Sequence, residues 1–529
     1  MKARKVMLFL LISAMCITAG CTNGKSTSST KSKDKIVYAS TKDIRDINPH
    51  LYSGEMAAQN MVFESLVINT ENGVKPCLAT SWDISKDGLE YTFHLRKGVV
   101  FTDGEPFNAK AVKLNMDAVI ANRQRHAWLD LVNEIKSNDV VDDYTYRLVL
   151  KHPYYPTLVE LGLTRPFRFI SPKCFINGAT KNGVNGYIGT GPWVLSEHKN
   201  NQYAIFTANK KYWGAKPKVN SVEWKVMPDP QTILLALQKG EIDILFGSDG
   251  DMIDIDSFKA LEKEGKYTTL LSKPIASRAI LLNSRREITK DLKFREALQY
   301  AVNKKSITDG ILDGSESAAN TLMSKSVEYC DVNLKTYSYN VNKAKNLLDS
   351  DGWKMGKDGY RYKDGRKCTI TLYFNSNNAQ ERTISESIQN DFKAVGVDMK
   401  IVGEEKQAFL DRQKSGDFDL QYSLSWGTPY DPQSYMSSWR QPAHGDYQAQ
   451  SGLEKKKWLD QTITSVMTEP DEVKRKKMYK EILTYINDQC IYIPISYSRT
   501  KVVFVKGLKG VGFNESQYEI PFEKMYFEQ

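Results

Sequence analysis

Apolar and polar residues alternate along the first part of the chain. Residues 35–40 (Lys-Ile-Val-Tyr-Ala-Ser), 91–95 (Tyr-Thr-Phe-His-Leu) and 144–151 have the period-two, β-branched and aromatic character of strands, with turns signalled at Asp87-Gly88 and Asp103-Gly104. Over 109–121 the period lengthens to that of a helix, with Val112, Leu114, Met116 and Val119 on its apolar side. From about residue 275 strand and helix patterns interleave: strands at 279–283, 369–374, 398–402 and 418–425, helices at 291–302, 379–395 and 406–414. This alternation predicts an α/β fold built on a mixed or parallel sheet with helices on both faces. A last strand pair, 491–496 and 502–505, returns the chain to its first lobe. Two lobes joined by more than one strand enclose a hinged cleft, with hinges expected near Pro274-Ile275 and Ser496-Tyr497.

The extreme N-terminus follows a different pattern. Lys2, Arg4 and Lys5 precede the apolar run 6–12, which is too short to cross a bilayer of roughly 30 Å. The small residues Thr18-Ala19-Gly20 then lead to Cys21, and Ile17-Thr18-Ala19-Gly20-Cys21 resembles the bacterial lipobox, in which the Cys thiol is diacylated before cleavage. The alternative is an ordinary secretory signal with an incidental Cys, since Thr18 stands where the lipobox prefers Leu. Residues 22–35 are mostly Ser, Thr and Lys, a flexible tether with almost nothing to bury. The expected organisation is a signal at 1–20, a lipidated tether at 21–35, and a first lobe at 36–274 with an inserted subdomain at about 67–186. A second lobe at 275–496 and a return to the first at 497–529 complete it.

Composition narrows the partners. The formal charge of +10 falls to +7 without residues 1–20 and is interleaved with acids, as in Glu454-Lys455-Lys456-Lys457 followed by Asp460. No stretch alternates basic clusters with stacking aromatics, so nucleic acid is excluded and the charge reads as a solvated face. Five cysteines follow the signal (Cys77, Cys174, Cys330, Cys368 and Cys490), odd in number, widely spaced and in no CxxC pair. Neither a disulfide framework nor a zinc cluster is indicated. Nucleophile elbow, His-Glu-x-x-His, Walker A and dinucleotide glycine patterns are absent, so no enzymatic activity is expected. The acidic stretch Gly247-Ser248-Asp249-Gly250-Asp251, with Asp254 and Asp256, lacks EF-hand spacing and reads as a solvated turn.

Several motifs coincide. Leu78-Ala79-Thr80-Ser81-Trp82-Asp83, Gly189-Thr190-Gly191-Pro192-Trp193, Tyr212-Trp213-Gly214 and Arg295-Glu296-Ala297 with Tyr300-Ala301-Val302-Asn303 are spread over the mature chain. Together they resemble the extracytoplasmic solute-binding proteins of peptide and nickel ABC importers, which implies a two-lobed periplasmic-binding-protein-like fold, a monomer, and a membrane permease as partner. Four segments are similar to the nickel-binding branch: Asn48-Pro49-His50-Leu51-Tyr52, Asn122-Arg123-Gln124-Arg125-His126-Ala127-Trp128, Arg165-Pro166-Phe167-Arg168-Phe169, and Trp426-Gly427-Thr428-Pro429-Tyr430-Asp431-Pro432 with His444 beyond. Peptide binders commonly place an Asp three residues after the Trp equivalent to Trp426, to pair with a peptide ammonium. Here that position is Pro429.

The six histidines share no metal-ligand spacing, so a protein cage for a bare transition metal is not visible. The resemblance implies instead a nickel ion, or cobalt, that arrives already chelated. Arg125 and Arg165 suit a chelator's carboxylates, because a guanidinium offers a planar fork for two charge-assisted bonds; Arg168 is a weaker candidate. As isolated residues these arginines read as surface ion pairs, and Trp128 as core. A helical turn would set Trp128 on the same face as Arg125, three residues earlier, where its indole can wall the ligand. Trp426 and Tyr430 follow a strand's carboxyl end, a favoured ligand position, and Tyr52 and Met56 resemble positions on the opposite wall. His444, in the polar loop Gln441-Pro442-Ala443-His444-Gly445-Asp446, is the candidate metal ligand, against the alternative of a lone surface His. Around Ser516-Gln517-Tyr518-Glu519 the chain is closer to binders of opine-type metallophores than to the histidine-chelate type, so the chelator stays open between the two. A short-peptide receptor, and a surface hydrolase or adhesin on the same fold, are the competing readings.

Overall fold

A computed structural model describes residues 33–247, 252–378 and 380–528. The expected signal, Cys21, nearly all of the tether and positions 248–251 of the acidic stretch lie outside the described residues.

Two large mixed sheets organise the chain. The first has seven strands, in the order Tyr267–Leu271, Lys501–Val505, Ile244–Phe246, Lys35–Ser40, Ser221–Val226, Tyr203–Ala208 and Trp193–Lys199. Its central strand, Lys35–Ser40, is buried at all but its first residue, because apolar clusters cover both faces. The second sheet has six strands, in the order Ser317–Ala318, Tyr492–Ser498, Ala276–Leu282, Leu420–Leu424, Thr369–Asn375 and Asp398–Glu404. Helix Glu381–Ala394 lays Ile384, Ile388 and Phe392, one turn apart, onto that sheet's core.

Between residues 67 and 186 the chain builds its own four-stranded sheet, Ala79–Ile84, Glu90–Leu95, Thr145–Leu150 and Ile135–Asp142. Helix Ala109–Ala121 packs beside it. Asn108 caps its start by accepting from the Ala111 amide at 3.0 Å. Val112, Met116 and Val119 enter one apolar cluster, whereas Leu114 is half-buried against another, so this helix sits between two cores.

The chain crosses between the two large sheets at 272–275 and again at Arg499-Thr500. The crossings bond to each other: the Ser272 amide donates to the Thr500 carbonyl at 3.0 Å, and the Thr500 amide to the Ser272 hydroxyl at 2.8 Å. The second crossing lies beyond Ser496-Tyr497, where the sequence placed a hinge. Those two residues are still in the ladder, opposite Arg278 and Ser277.

One apolar cluster runs without a break from the four-stranded sheet (Phe93, Tyr146, Leu148) to Tyr435, Trp439, Ile463 and Ile482 on the side of the second large sheet. Polar contacts follow the same seam. Asp130 pairs with Arg440 and accepts from Ser437 at 3.0 Å, and Ser434 donates to the buried Glu160 at 3.3 Å. The cleft between these parts is therefore closed in this structure. Burial raises the Glu160 carboxyl to about 8, so it sits in the seam as a neutral acid at pH 7.

Candidate functional site

The site forms where three stretches meet the seam. Helix Ala109–Ala121 ends in a short 3-10 turn, Arg123–His126, which sets Trp128 just beyond it. The loop containing Arg165 and Arg168 comes from the same subdomain. The third stretch is the loop after strand Leu420–Leu424, which is folded on itself by Asp431. Its buried carboxylate accepts from the Ser425 hydroxyl at 2.6 Å and from the Gly427 amide at 3.0 Å. Gly427 has φ 73°, and a Cβ there would lie 2.8 Å from the Ile275 side chain and 3.0 Å from its carbonyl oxygen. Only glycine lets this loop approach the neck so closely.

These loops bring aromatic rings together. Trp128 and Trp426 meet edge to face at 5.2 Å, Tyr430 lies 6.4 Å from Trp128, and Tyr52 lies 6.1 Å from Trp128. The imidazole of His444 tilts against Trp426 at 5.8 Å. Arg165 stands over the Tyr52 ring at 4.6 Å, and the Tyr430 hydroxyl is 3.8 Å from the Met56 sulfur. Seven of the eight candidate positions are thus joined in one nest: Tyr52, Met56, Trp128, Arg165, Trp426, Tyr430 and His444. Arg125, the eighth, is exposed, and it reaches the nest electrostatically through His126.

Two arginines bring positive charge to the nest. The Arg165 guanidinium donates only to backbone carbonyls, at 2.9 Å to Ser53 and 3.4 Å to Gly54. The Arg125 guanidinium makes no hydrogen bond or ion pair with another described residue. Both keep donors available for an anion. Arg168 is different: it is buried and donates to the carbonyls of Leu163 and Phe63 and to the Glu519 carboxylate at 3.3 Å. It clamps the C-terminal segment to the loop, which removes it as a ligand contact.

His444 occupies the position just before the short helix Gly445–Gln450 and is half-buried. Desolvation lowers its pKa below 6.5, opposed by the nearby Asp446, so the ring is neutral at pH 7. Asp446 itself accepts from the hydroxyls of Tyr435 at 2.8 Å and Tyr492 at 2.7 Å. The ring nitrogens of His444 bond to no other described residue. No cluster of three or more His, Cys, Asp or Glu side chains able to hold a metal occurs among the described residues. The nest therefore supplies one open imidazole, one available guanidinium and an aromatic wall, and Arg125 adds a second guanidinium from the exposed turn beside it. That combination can complete the coordination of a metal whose remaining positions are filled by an anionic chelator.

Sequence reasoning did not find the neighbouring cavity of about 750 Å³, bounded by 162–164, the neck at 272–275, 428–430, 513–516 and Glu519. Of the nest residues only Tyr430 lines it, and Arg168 lines it from outside the nest. Nor did it find Tyr518, whose ring meets Tyr430 at 5.5 Å. The segment 516–519 was the only signal. At Pro429 there is no carboxylate; of the acids beside the loop, Asp431 holds its own loop through one oxygen while the other is buried without a hydrogen-bond partner among the described residues, and Glu519 is engaged with Arg168, Thr164 and Asn514.

Residues 73–447 match the family of bacterial extracellular solute-binding proteins, family 5. The chain is 42% identical over 496 residues to the nickel-binding periplasmic protein of Escherichia coli, covering 93% of this chain and 94% of that one. The chain belongs to the family 5 solute-binding proteins. Its fold superposes on NikA from Brucella suis, solved in complex with Fe(III)-EDTA, with a TM-score of 0.90 at 42% identity, over 94% of this chain and 100% of that one. NikZ from Campylobacter jejuni, solved with Ni(L-His), matches at a TM-score of 0.82 and 28% identity, over 93% of this chain and 99% of that one. The family 5 proteins are binding proteins and not enzymes. The dipeptide-binding protein of Escherichia coli is also a relative, 28% identical over 90% of this chain and 91% of its own length.

Proposed function

We propose that this chain is the substrate-binding subunit of an ABC importer that captures chelated nickel, or cobalt, and delivers it to a membrane permease. The observation that carries this reading is the aromatic nest that links Arg165, which has no carboxylate partner among the described residues, through Tyr52, Trp128 and Trp426 to the neutral, open imidazole of His444, with the exposed Arg125 on the turn that leads to Trp128. An anionic chelator satisfies the guanidiniums, and the imidazole fills one position on the metal. The names of the 42% identical relatives, one nickel-binding and one holding an iron chelate, support the same class of ligand. Both nickel–histidine and an opine-type metallophore complex meet these requirements.

Calorimetry on the mature protein separates the readings. Nickel with L-histidine or with an opine-type chelator should bind tightly, whereas nickel alone should bind weakly. A peptide reading has one observation in its favour, the cavity of about 750 Å³ beside the nest. Tight binding from a metal-free peptide pool would replace the nickel reading with that one. Cys21, read as lipidated, would hold the protein at the outer face of the cytoplasmic membrane, with residues 22–35 as the tether. Changing Cys21 to Ser should then move the protein from the membrane fraction to the soluble extracytoplasmic fraction. An unchanged distribution would count against lipidation.

A further inference from the structure

His126 lies in the candidate site but is not one of the residues to which the nickel reading gives a task. It is fully buried behind Tyr52, whose ring meets it edge-on at 6.5 Å and is itself 53% exposed. Its Nε2 lies 3.0 Å from the backbone carbonyl of His50. A carbonyl only accepts, so Nε2 carries the hydrogen. Nδ1 is then a bare acceptor, and it has no hydrogen-bond partner among the described residues although it is sealed from solvent.

The surroundings lock that tautomer. Asn122 donates to the Thr180 hydroxyl at 3.3 Å, leaving the Thr180 hydrogen for His50 Nδ1 at 3.2 Å, while His50 Nε2 donates to the Arg168 carbonyl at 3.1 Å. The ring of His50 is thereby satisfied on both sides, and its own carbonyl holds His126. Burial is the main cause that lowers His126 to about 4, with Arg165 and Arg125 adding to it, so the bare lone pair persists at neutral pH. Around the nest the polar groups are mostly donors: the guanidiniums of Arg165 and of the nearby Arg125, and the indole N–H of Trp128, which is also buried and without a partner among the described residues; Asn122 Oδ1 is a second bare acceptor on the turn that carries His126. An acceptor placed among donors has no use for a chelator's carboxylates. It has a use for an N–H.

We propose that His126 determines specificity: its Nδ1 accepts a hydrogen bond from a metal-bound amine of the chelator, so the site favours amine-bearing chelates over ones without N–H donors. This rests on the nickel-chelate reading and assigns His126 no bond to the metal. Metal coordination makes an amine N–H more acidic and a better donor, which suits a neutral imidazole acceptor.

The test compares two chelators of equal charge, L-histidine and Nα,Nα-dimethyl-L-histidine, each with nickel, on the wild-type protein and on His126→Phe and His126→Gln, with nickel–EDTA as a ligand without N–H. Wild type should prefer the histidine chelate by about tenfold, the worth of one buried hydrogen bond. His126→Phe should erase that preference while leaving nickel–EDTA within about twofold, and His126→Gln, which keeps an acceptor, should restore part of it. Equal losses for all three ligands in both variants, or a preference that survives His126→Phe, would overturn the role of His126. Absence of binding by any nickel chelate to the wild type would overturn the nickel reading itself. Should the Phe variant fail to fold, wild type binding both histidine chelates equally, or a Gln variant without preference, would still refute the proposal.

Discussion

A histidine that completes a metal's coordination must be neutral, and burial gives His444 that property by lowering its pKa below the usual 6.5. Protonation competes with the metal, so affinity is full above the folded pKa and falls as pH drops through it. With a nickel chelate that leaves one position on the metal open, and the same titration of His444→Ala as reference, the affinity lost through this imidazole between about pH 7.5 and 5.5 should be less than the roughly tenfold expected of an unperturbed one. Replacing His444 by Ala should weaken chelate binding at least about tenfold, and Arg125→Ala or Arg165→Ala should do the same through the chelator's carboxylates. Calorimetry checks all three, and unaltered affinity throughout would remove the site. The residue scale is also where sequence is least informative. Arg165 and Arg168 are three positions apart in one motif, yet one keeps open donors at the nest while the other is buried against Glu519, 351 residues away. Only the fold distinguishes them.

Elements were far more legible. Helix Ala109–Ala121 lies where its periodicity places it, because Asn residues mark both ends and its apolar rows face real cores. The strand Lys35–Ser40 is equally plain in sequence. The second crossing was misplaced by a few residues, since strand Tyr492–Ser498 simply continues past its last apolar residue while its backbone stays paired. The loop after strand Leu420–Leu424 shows what pattern cannot convey: its shape depends on Asp431 and on a glycine at φ 73° pressed against Ile275. Gly427→Ala should cost about 1–2 kcal/mol from the backbone alone, more with the clash, and should loosen chelate binding as the loop shifts. Denaturant melts and calorimetry measure the two effects, and a neutral result in both would show that the loop tolerates a side chain.

At the scale of the whole molecule, two large sheets joined by a paired neck close on a seam of apolar and polar contacts. The α/β, multi-sheet architecture followed from the alternation of strand and helix patterns, but the seam did not, because it pairs residues hundreds of positions apart. Asp130, 310 residues from Arg440, is one such partner. We predict that ligand favours the closed form and that Asp130→Ala shifts the balance toward the open one. Scattering should give a smaller radius of gyration on adding nickel–histidine, with more ligand needed in the variant. Curves unchanged by saturating ligand would contradict closure by ligand.

Whether His444 holds the metal of a chelate is decided by a crystal structure of the mature protein with nickel–histidine, phased at the nickel absorption edge. An anomalous peak is expected at about 2.1 Å from an imidazole nitrogen of His444, close to the imidazole–zinc distance. Chelator carboxylates should meet Arg125 and Arg165, and Trp128 and Trp426 should form the wall. A peak elsewhere, including in the neighbouring cavity, or chelator density without contact to either arginine, would contradict the proposed site.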